Sequence, residues 1–315
     1  MISQRRVQTN GIQLNIAEAG EGKLVLLLHG FPESWYSWRH QLKPLAEAGY
    51  HVVAPDMRGY GQSDKPTEIT RYNQVEIIGD VIGLISALGH KEAIVIGHDW
   101  GAPTAWGAAA DFPEKVKAVG ALSVPFSPRA DDPPLERMKK MFKDRFFYQL
   151  YFQEPGVAEA ELERDVRIFL RKFLYWASGD VSGSLAPQRS PDSDLLSDLT
   201  DPQAFPAWLT EADLDFYTAE FERNGFGAPL NYYRNHNLTW ELTRNRVDQI
   251  KQPALFVAGE KDPVIMLGKL ALENMATHVT DIRINELIPD IGHWTQQEAP
   301  EPVTRSILRF LEMVC

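Results

Sequence analysis

The sequence predicts an α/β fold on a mostly parallel sheet, with a helical segment inserted between two of its strands. Three observations carry this expectation. Strand-like and helix-like segments alternate over roughly the first 125 residues. "KLVLLLHG" is apolar at successive positions, as in a strand covered on both faces. The alternation stops near Ser127, gives way to aromatic-rich helical segments up to about Asn237, and resumes at "PALFVAGEKD".

In chain order, "VQTNGIQLNIAEAG" alternates apolar and polar residues around Asn10-Gly11, a hairpin signal. After "KLVLLLHG" comes a helix over Trp35–Ala48 ending at Gly49, then the strand "YHVVAPD". A helix over Val75–Leu88 ends at Gly89 and leads into "EAIVIGHD". Ala102–Phe112 is a small-residue helix with Pro103 in its first turn, where proline is tolerated. "VKAVGALSVP" is the next strand. After the insertion follow "PALFVAGEKD", one helix, "DIRINELIPDIGH", and a last helix from about Pro300. Residues 1–126 and 238–315 are therefore expected to form the core, and 127–237 a helical cap, or lid. Such an insertion at the C-terminal edge of a parallel sheet lies over the ligand crevice. The Ser/Asp/Gly/Pro-rich "SGDVSGSLAPQRSPDSD" within it reads as an exposed loop.

The net charge of −11 and the lack of a Lys/Arg-rich run argue against a nucleic-acid surface. No apolar run is long enough to span a bilayer, and the N-terminal residues lack the apolar stretch of a signal peptide. The single cysteine, Cys315, allows no intrachain disulfide, so a cytoplasmic setting is expected. The Asn237-Leu238-Thr239 sequon carries no weight without a secretion signal. The letters are silent on whether the chain pairs as a homodimer.

Gly97-x-Asp99-x-Gly101 has the small-x-nucleophile-x-small form of a nucleophile elbow, between an apolar strand and an Ala-rich helix. By itself it could be an aspartate capping a helix. Its partners argue otherwise. Asp262 follows the strand "ALFVAGEK" and His293 follows "DIRINELI", giving the order nucleophile, acid, histidine. Asp290 is the chief rival for the acid, and Asp56 precedes the nucleophile and reads as structural. His29-Gly30-Phe31-Pro32 can present the N–H of Phe31 beside the elbow, since Pro32 has none. With the N–H of Trp100 it would make an oxyanion hole.

An ionised carboxylate is poorly suited to attack a carbonyl. It can displace a leaving group at saturated carbon, forming an alkyl ester of the enzyme. Water activated by His293, oriented by Asp262, can then cleave that ester. The leaving group is an epoxide oxygen or a halide. An epoxide oxygen needs a proton, which a tyrosine can supply. The insertion offers Tyr148, Tyr151, Tyr175, Tyr217, Tyr232 and Tyr233, and the residues alone do not choose among them.

"HGFPESWYSWRHQ", "GHDWGA", "YQLYFQEPGVAEAELE", "APLNYYRN" and "GHWTQ" resemble the epoxide hydrolases of the α/β-hydrolase fold. They are especially similar to the catalytic C-terminal domain of mammalian soluble epoxide hydrolases. The likeness covers nearly the whole chain, but the mammalian N-terminal phosphatase domain has no counterpart. The resemblance implies an α/β-hydrolase fold with an inserted helical lid, and conversion of a small-molecule epoxide to a vicinal diol without a cofactor. It implies Asp99 as nucleophile, Asp262 as charge-relay acid, His293 as base, and Tyr148 and Tyr233 as the activators of the epoxide. Phe31 and Trp100 match the oxyanion-hole donors. Trp100, Gln149, Phe152 and Trp294 are expected to bind substrate, whereas Tyr151 and Tyr232 are expected to serve packing or pocket walls.

A haloalkane dehalogenase is the first alternative, since it shares the elbow. Such enzymes usually carry a second polar donor where this chain has Phe31. A haloacetate dehalogenase would be expected to carry arginine where Trp100 stands, and a serine esterase lacks its Gly-x-Ser-x-Gly here. A non-catalytic small-ligand receptor on the same fold is the alternative from another class. There is no His-Glu-x-x-His, P-loop or dinucleotide fingerprint, so neither metal nor cofactor is expected.

Overall fold

The computed structural model describes residues 1–181 and 189–315. The centre of the Ser/Asp/Gly/Pro-rich stretch lies outside the described residues. The strands are β1 (Ser3–Thr9), β2 (Ile12–Ala19), β3 (Lys23–Leu28), β4 (Tyr50–Pro55), β5 (Ala93–His98), β6 (Val116–Leu122), β7 (Ala254–Gly259) and β8 (Ile282–Ile288). They form one sheet of eight strands among the described residues, ordered β1-β2-β4-β3-β5-β6-β7-β8. Strand β1 pairs antiparallel with β2, and β2 with β4; every other pair is parallel. The chain is an α/β-hydrolase fold.

The β1–β2 turn has positive φ at both Asn10 (37°) and Gly11 (76°), as a two-residue hairpin of this twist requires. Alternation on β3 explains its unbroken apolar run. Leu24, Leu26 and Leu28 face helices α2 (Gln74–Ala87) and α3 (Gly101–Asp111). Val25 and Leu27 face α1 (Arg39–Glu47) and the C-terminal helix over Pro300–Val314. Both faces are therefore dry, and each fully buried aliphatic side chain contributes about 1.5–3 kcal/mol.

Two expected helices are subdivided. The one after β3 opens as a 3-10 turn over Trp35–Trp38, held by Ser34 accepting from the N–H of Tyr36. The one after β7 breaks at Gly268 into Pro263–Leu267 and Lys269–His278.

Between β6 and β7 the described chain is helical: α4 (Pro134–Met141), α5 (Tyr148–Tyr151), α6 (Val157–Leu162), α7 (Val166–Trp176), α8 (Glu211–Asn224), α9 (Gly227–Arg234) and α10 (His236–Leu242). Asp165 caps α7 by accepting from the N–H of Ile168, and Thr210 with Asp213 forms a capping box on α8. The helix α10 runs across residue 237, where the sequence places the end of the insertion.

The buried guanidinium of Arg58 donates to both oxygens of Asp80, at 2.7 and 2.6 Å. Asp80 also accepts from Asn10 of the hairpin, at 3.0 Å. Asp80→Ala would strand the Arg58 charge, which Glu76, at 3.5 Å and more exposed, replaces only in part. Urea unfolding is expected to show a loss of about 3–5 kcal/mol.

Candidate active site

The site lies where the strand order reverses. Strand β3 connects outward to β4, and the chain returns to β5 on its other side. The loops after β3 and β5 therefore open a crevice at their C-terminal ends. Asp99 caps β5 at φ 49°, a left-handed conformation that costs a non-glycine residue about 1–3 kcal/mol. The turn is tight enough that a Cβ on Gly97 would overlap the Gly101 carbonyl, and one on Gly101 the Leu28 carbonyl. That close approach is why the elbow is built of glycines.

One carboxylate oxygen of Asp99, Oδ1, accepts the Phe31 N–H at 2.8 Å. The Phe31–Pro32 peptide bond is cis. The other oxygen, Oδ2, stands 3.5 Å from His293 Nε2. On the far side of the imidazole, Nδ1 lies 3.1 and 3.2 Å from the two oxygens of buried Asp262. Asp290 plays no part here; its exposed carboxylate pairs with Lys261 at 2.8 Å. Asp56 is engaged by Asn15, Trp35 and Gln62, in keeping with a structural loop.

Burial works to raise the pKa of Asp99, but the hydrogen bond and charge of His293, the charge of His98 and the Phe31 N–H outweigh it and hold it below the ordinary carboxylate value. Burial likewise works to lower the pKa of His293. The charges and hydrogen bonds of Asp262 and Asp99 overcome it and raise that pKa well above the ordinary histidine value.

The structure separates the six tyrosines of the insertion. Four hydroxyls donate elsewhere: Tyr151 to Glu161 (2.8 Å), Tyr175 to the Asp180 carbonyl (3.4 Å), Tyr217 to Gln297 (3.0 Å) and Tyr232 to the Arg58 carbonyl (2.9 Å). Tyr148 instead accepts from Gln149 at 2.9 Å, which leaves its own proton uncommitted. Tyr233 stands edge-on to Trp100, with centroids 5.1 Å apart, and 6.0 Å from the Tyr148 ring. Burial and then the Asp99 charge raise the pKa of both Tyr148 and Tyr233 above the ordinary phenol value, so both stay protonated at neutral pH.

A cavity of about 420 Å³ joins these groups, within the usual range for small-molecule sites. Asp99, Trp100, Tyr148, Gln149 and Tyr233 line it. Phe152 and Trp294, expected as substrate-binding residues, do not. Phe152 is fully buried, with ring centroids 5.0 Å from Tyr233 and 5.8 Å from Phe31. Trp294 is fully buried, donates its indole N–H to the Leu174 carbonyl at 2.7 Å and stands edge-on to His293. The sequence pattern could show their aromatic character but not which side of the cavity wall they occupy.

Three supports carried no sequence signal of their own. Ser123, at the end of β6 with φ 75°, hydrogen-bonds Asp262 and lies 2.8 Å from His293 Nδ1. Its single proton can go to Asp262 while its oxygen accepts from the imidazole. Buried Glu33 binds the Gly30 N–H (3.0 Å), His98 (2.8 Å), Gln296 (2.9 Å) and Gln297 (3.0 Å). His98 in turn lies 2.7 Å from the His293 carbonyl. Glu298 accepts the N–H groups of Gly292 and Trp294, on either side of His293, and that of Gly179.

Ser123→Ala removes a donor to Asp262. The carboxylate then holds the imidazolium more tightly, so the histidine pKa rises further. The acid limb of the kcat–pH profile is expected to move to higher pH, with kcat about tenfold lower near neutrality. An unmoved limb would show that Ser123 is packing only.

Residues 23–300 match the family described as "alpha/beta hydrolase fold". Epoxide hydrolase A of Mycobacterium tuberculosis is 42% identical over 314 residues, covering 98% of this chain and 97% of that protein. Mouse bifunctional epoxide hydrolase 2 is 38% identical, covering 96% of this chain and 54% of that protein. A solved epoxide hydrolase from an endophytic Streptomyces superposes with a TM-score of 0.95 at 41% identity, covering 99% of this chain and 95% of that one. Epoxide hydrolase A from Mycobacterium thermoresistibile gives 0.94 at 43% identity, covering 99% and 98%.

Proposed function

The chain belongs to the epoxide hydrolases of the α/β-hydrolase fold, and we propose that Asp99, His293, Asp262, Tyr148 and Tyr233 carry its reaction, with the inserted helices acting as a lid. The observation that carries this assignment is the meeting in one cavity of Tyr148, Tyr233 and the Asp99 carboxylate, which the Phe31 N–H and His293 engage.

Oδ2 of Asp99, the oxygen not bonded to Phe31, attacks an oxirane carbon. The carbon–oxygen bond breaks, and the released oxygen takes a proton from Tyr148 or Tyr233. The product of this half is an ester on Asp99 with a neighbouring hydroxyl. Esterification removes the Asp99 charge, one of the influences that raise the pKa of His293. The histidine then releases its proton to solvent, to be regained once the Asp99 charge returns, and becomes a base. It takes a proton from water as the water oxygen attacks the carboxyl carbon of Asp99. Charge develops on Oδ1, where the Phe31 N–H already points and the Trp100 N–H is its proposed companion. Collapse releases the diol oxygen, which recovers the proton from His293. The proton left on the Asp99 carboxyl returns to the tyrosinate.

No step needs a metal or cofactor. Among the described residues there is no metal-binding cluster and no helix long and apolar enough to cross a membrane. A single exposed cysteine fits a reducing cytoplasm, which cell fractionation would check.

The test is the intact mass of the His293→Gln protein after exposure to styrene oxide. A gain equal to the whole epoxide, absent in a His293→Gln/Asp99→Ala protein, is the expected result. Labelling by a haloalkane and not by epoxides would favour the dehalogenase chemistry.

A further inference from the structure

The cavity wall beside Trp100 contains polar atoms that no group among the described residues satisfies. Nε2 of Gln74 and Nε2 of His236 are buried and have no partner among the described residues, and both residues line the cavity. They belong to one corner. The His236 ring packs against Trp100, with centroids 5.3 Å apart. Gln74 is joined to Thr104 (3.0 Å), which also donates to the Trp100 carbonyl (2.9 Å). The Gln74 N–H donates to Thr239, at 3.1 Å, one turn along α10 from His236. Each buried polar atom left unpaired costs about 1–3 kcal/mol.

The chemistry of the missing partner follows from these groups. Thr104 has one hydroxyl proton and two neighbouring acceptors. Whichever end of the Gln74 amide faces Thr104, the other end stays free, as a donor in one orientation and an acceptor in the other. Burial lowers the pKa of His236 to about 4, so its ring is neutral at physiological pH. It offers one donor and one acceptor and no charge for a carboxylate. A neutral group able both to give and to accept a hydrogen bond fits this corner, and an alcohol is the smallest such group.

We propose that Gln74 and His236 form a hydroxyl-binding corner through which this enzyme prefers epoxides carrying an alcohol close to the oxirane over hydrocarbon epoxides of the same shape. This rests on the epoxide-hydrolase reading above. A hydrocarbon placed there leaves both groups unpaired; an alcohol pairs both. Sites that hydrogen-bond a substrate hydroxyl discriminate strongly against analogues lacking it.

Two epoxides with equal numbers of heavy atoms provide the test: trans-3-phenylglycidol and trans-1-phenyl-1-butene oxide. The ratio of their kcat/KM values is measured for the native enzyme, Gln74→Met and His236→Leu. Comparing ratios between proteins cancels the intrinsic reactivities of the two compounds. The expected result is a fall of about tenfold or more in the alcohol-to-hydrocarbon ratio in each variant. Either variant alone suffices where the other fails to show a native circular-dichroism spectrum. A ratio within about twofold of native in folded variants overturns the proposal. Turnover of neither compound nor of styrene oxide by the native enzyme overturns the parent reading instead.

Discussion

Asp99→Ala is expected to lower diol formation by about 10⁴–10⁶-fold while the protein keeps its native circular-dichroism spectrum. The size of the effect follows from the role: without the carboxylate no ester forms, and the remaining groups have no bond to make. The variant also has a pH signature. In the native resting enzyme, the raised pKa of His293 contributes stability that is fully present below its ordinary value of about 6.5. That contribution is lost as pH rises through the raised folded value. Removing Asp99 leaves only Asp262 to hold the pKa up, so the loss should occur at lower pH. Melting temperatures taken across pH 5–9 would reveal it. Substantial residual turnover in purified Asp99→Ala would sink the nucleophile assignment.

The second large effect belongs to the tyrosine pair. Tyr148→Phe/Tyr233→Phe is expected to slow ester formation by about 10²–10⁴-fold, because the opening ring then expels an unprotonated alkoxide. Either single variant should lose less, since the partner hydroxyl remains. Rapid-mixing measurements of alkyl-enzyme formation, with Trp100 as the neighbouring fluorophore, separate this step from ester hydrolysis. A double variant that alkylates at the native rate would mean the proton comes from elsewhere. The raised phenol pKa values also give a sign: ring opening should not fall off as pH rises through 8 to 10, where an exposed tyrosine begins to ionise.

How legible the site was depends on how local each signal is. Asp99, Asp262 and His293 each follow a strand inside a short pattern, so chain order and strand ends sufficed to nominate them. The apolar runs of β3 and β5 announced buried strands. The order of those strands was not legible, because it depends on which neighbours they meet across the sheet. The tyrosines were harder. Six stand in the insertion, and only the tertiary structure shows four hydroxyls spent on Glu161, Asp180, Gln297 and Arg58. Phe152 and Trp294 stand behind the cavity lining, a placement the letters do not carry because a large aromatic residue near the chemistry can face the cavity or back the wall. Ser123 left no trace in the letters, since its partners Asp262 and His293 lie more than 100 residues away in the chain, and the bond of Glu298 to Gly179 spans a similar distance.

The bonds around Glu298 bear on how this protein can be re-engineered. Glu298 joins Gly179, just beyond α7, to the backbone on both sides of His293. The His293 N–H donates to the Ala177 carbonyl at 2.8 Å, and the Trp294 indole to that of Leu174. His293 thus hangs as much from the inserted helices as from β8. Exchanging the inserted helices for those of a relative, the obvious route to a new substrate range, would disconnect the histidine from half its scaffold. A chimera should carry Leu174–Gly179 and Gly292–Glu298 across together, as one heritable module whose two halves lie far apart in the gene.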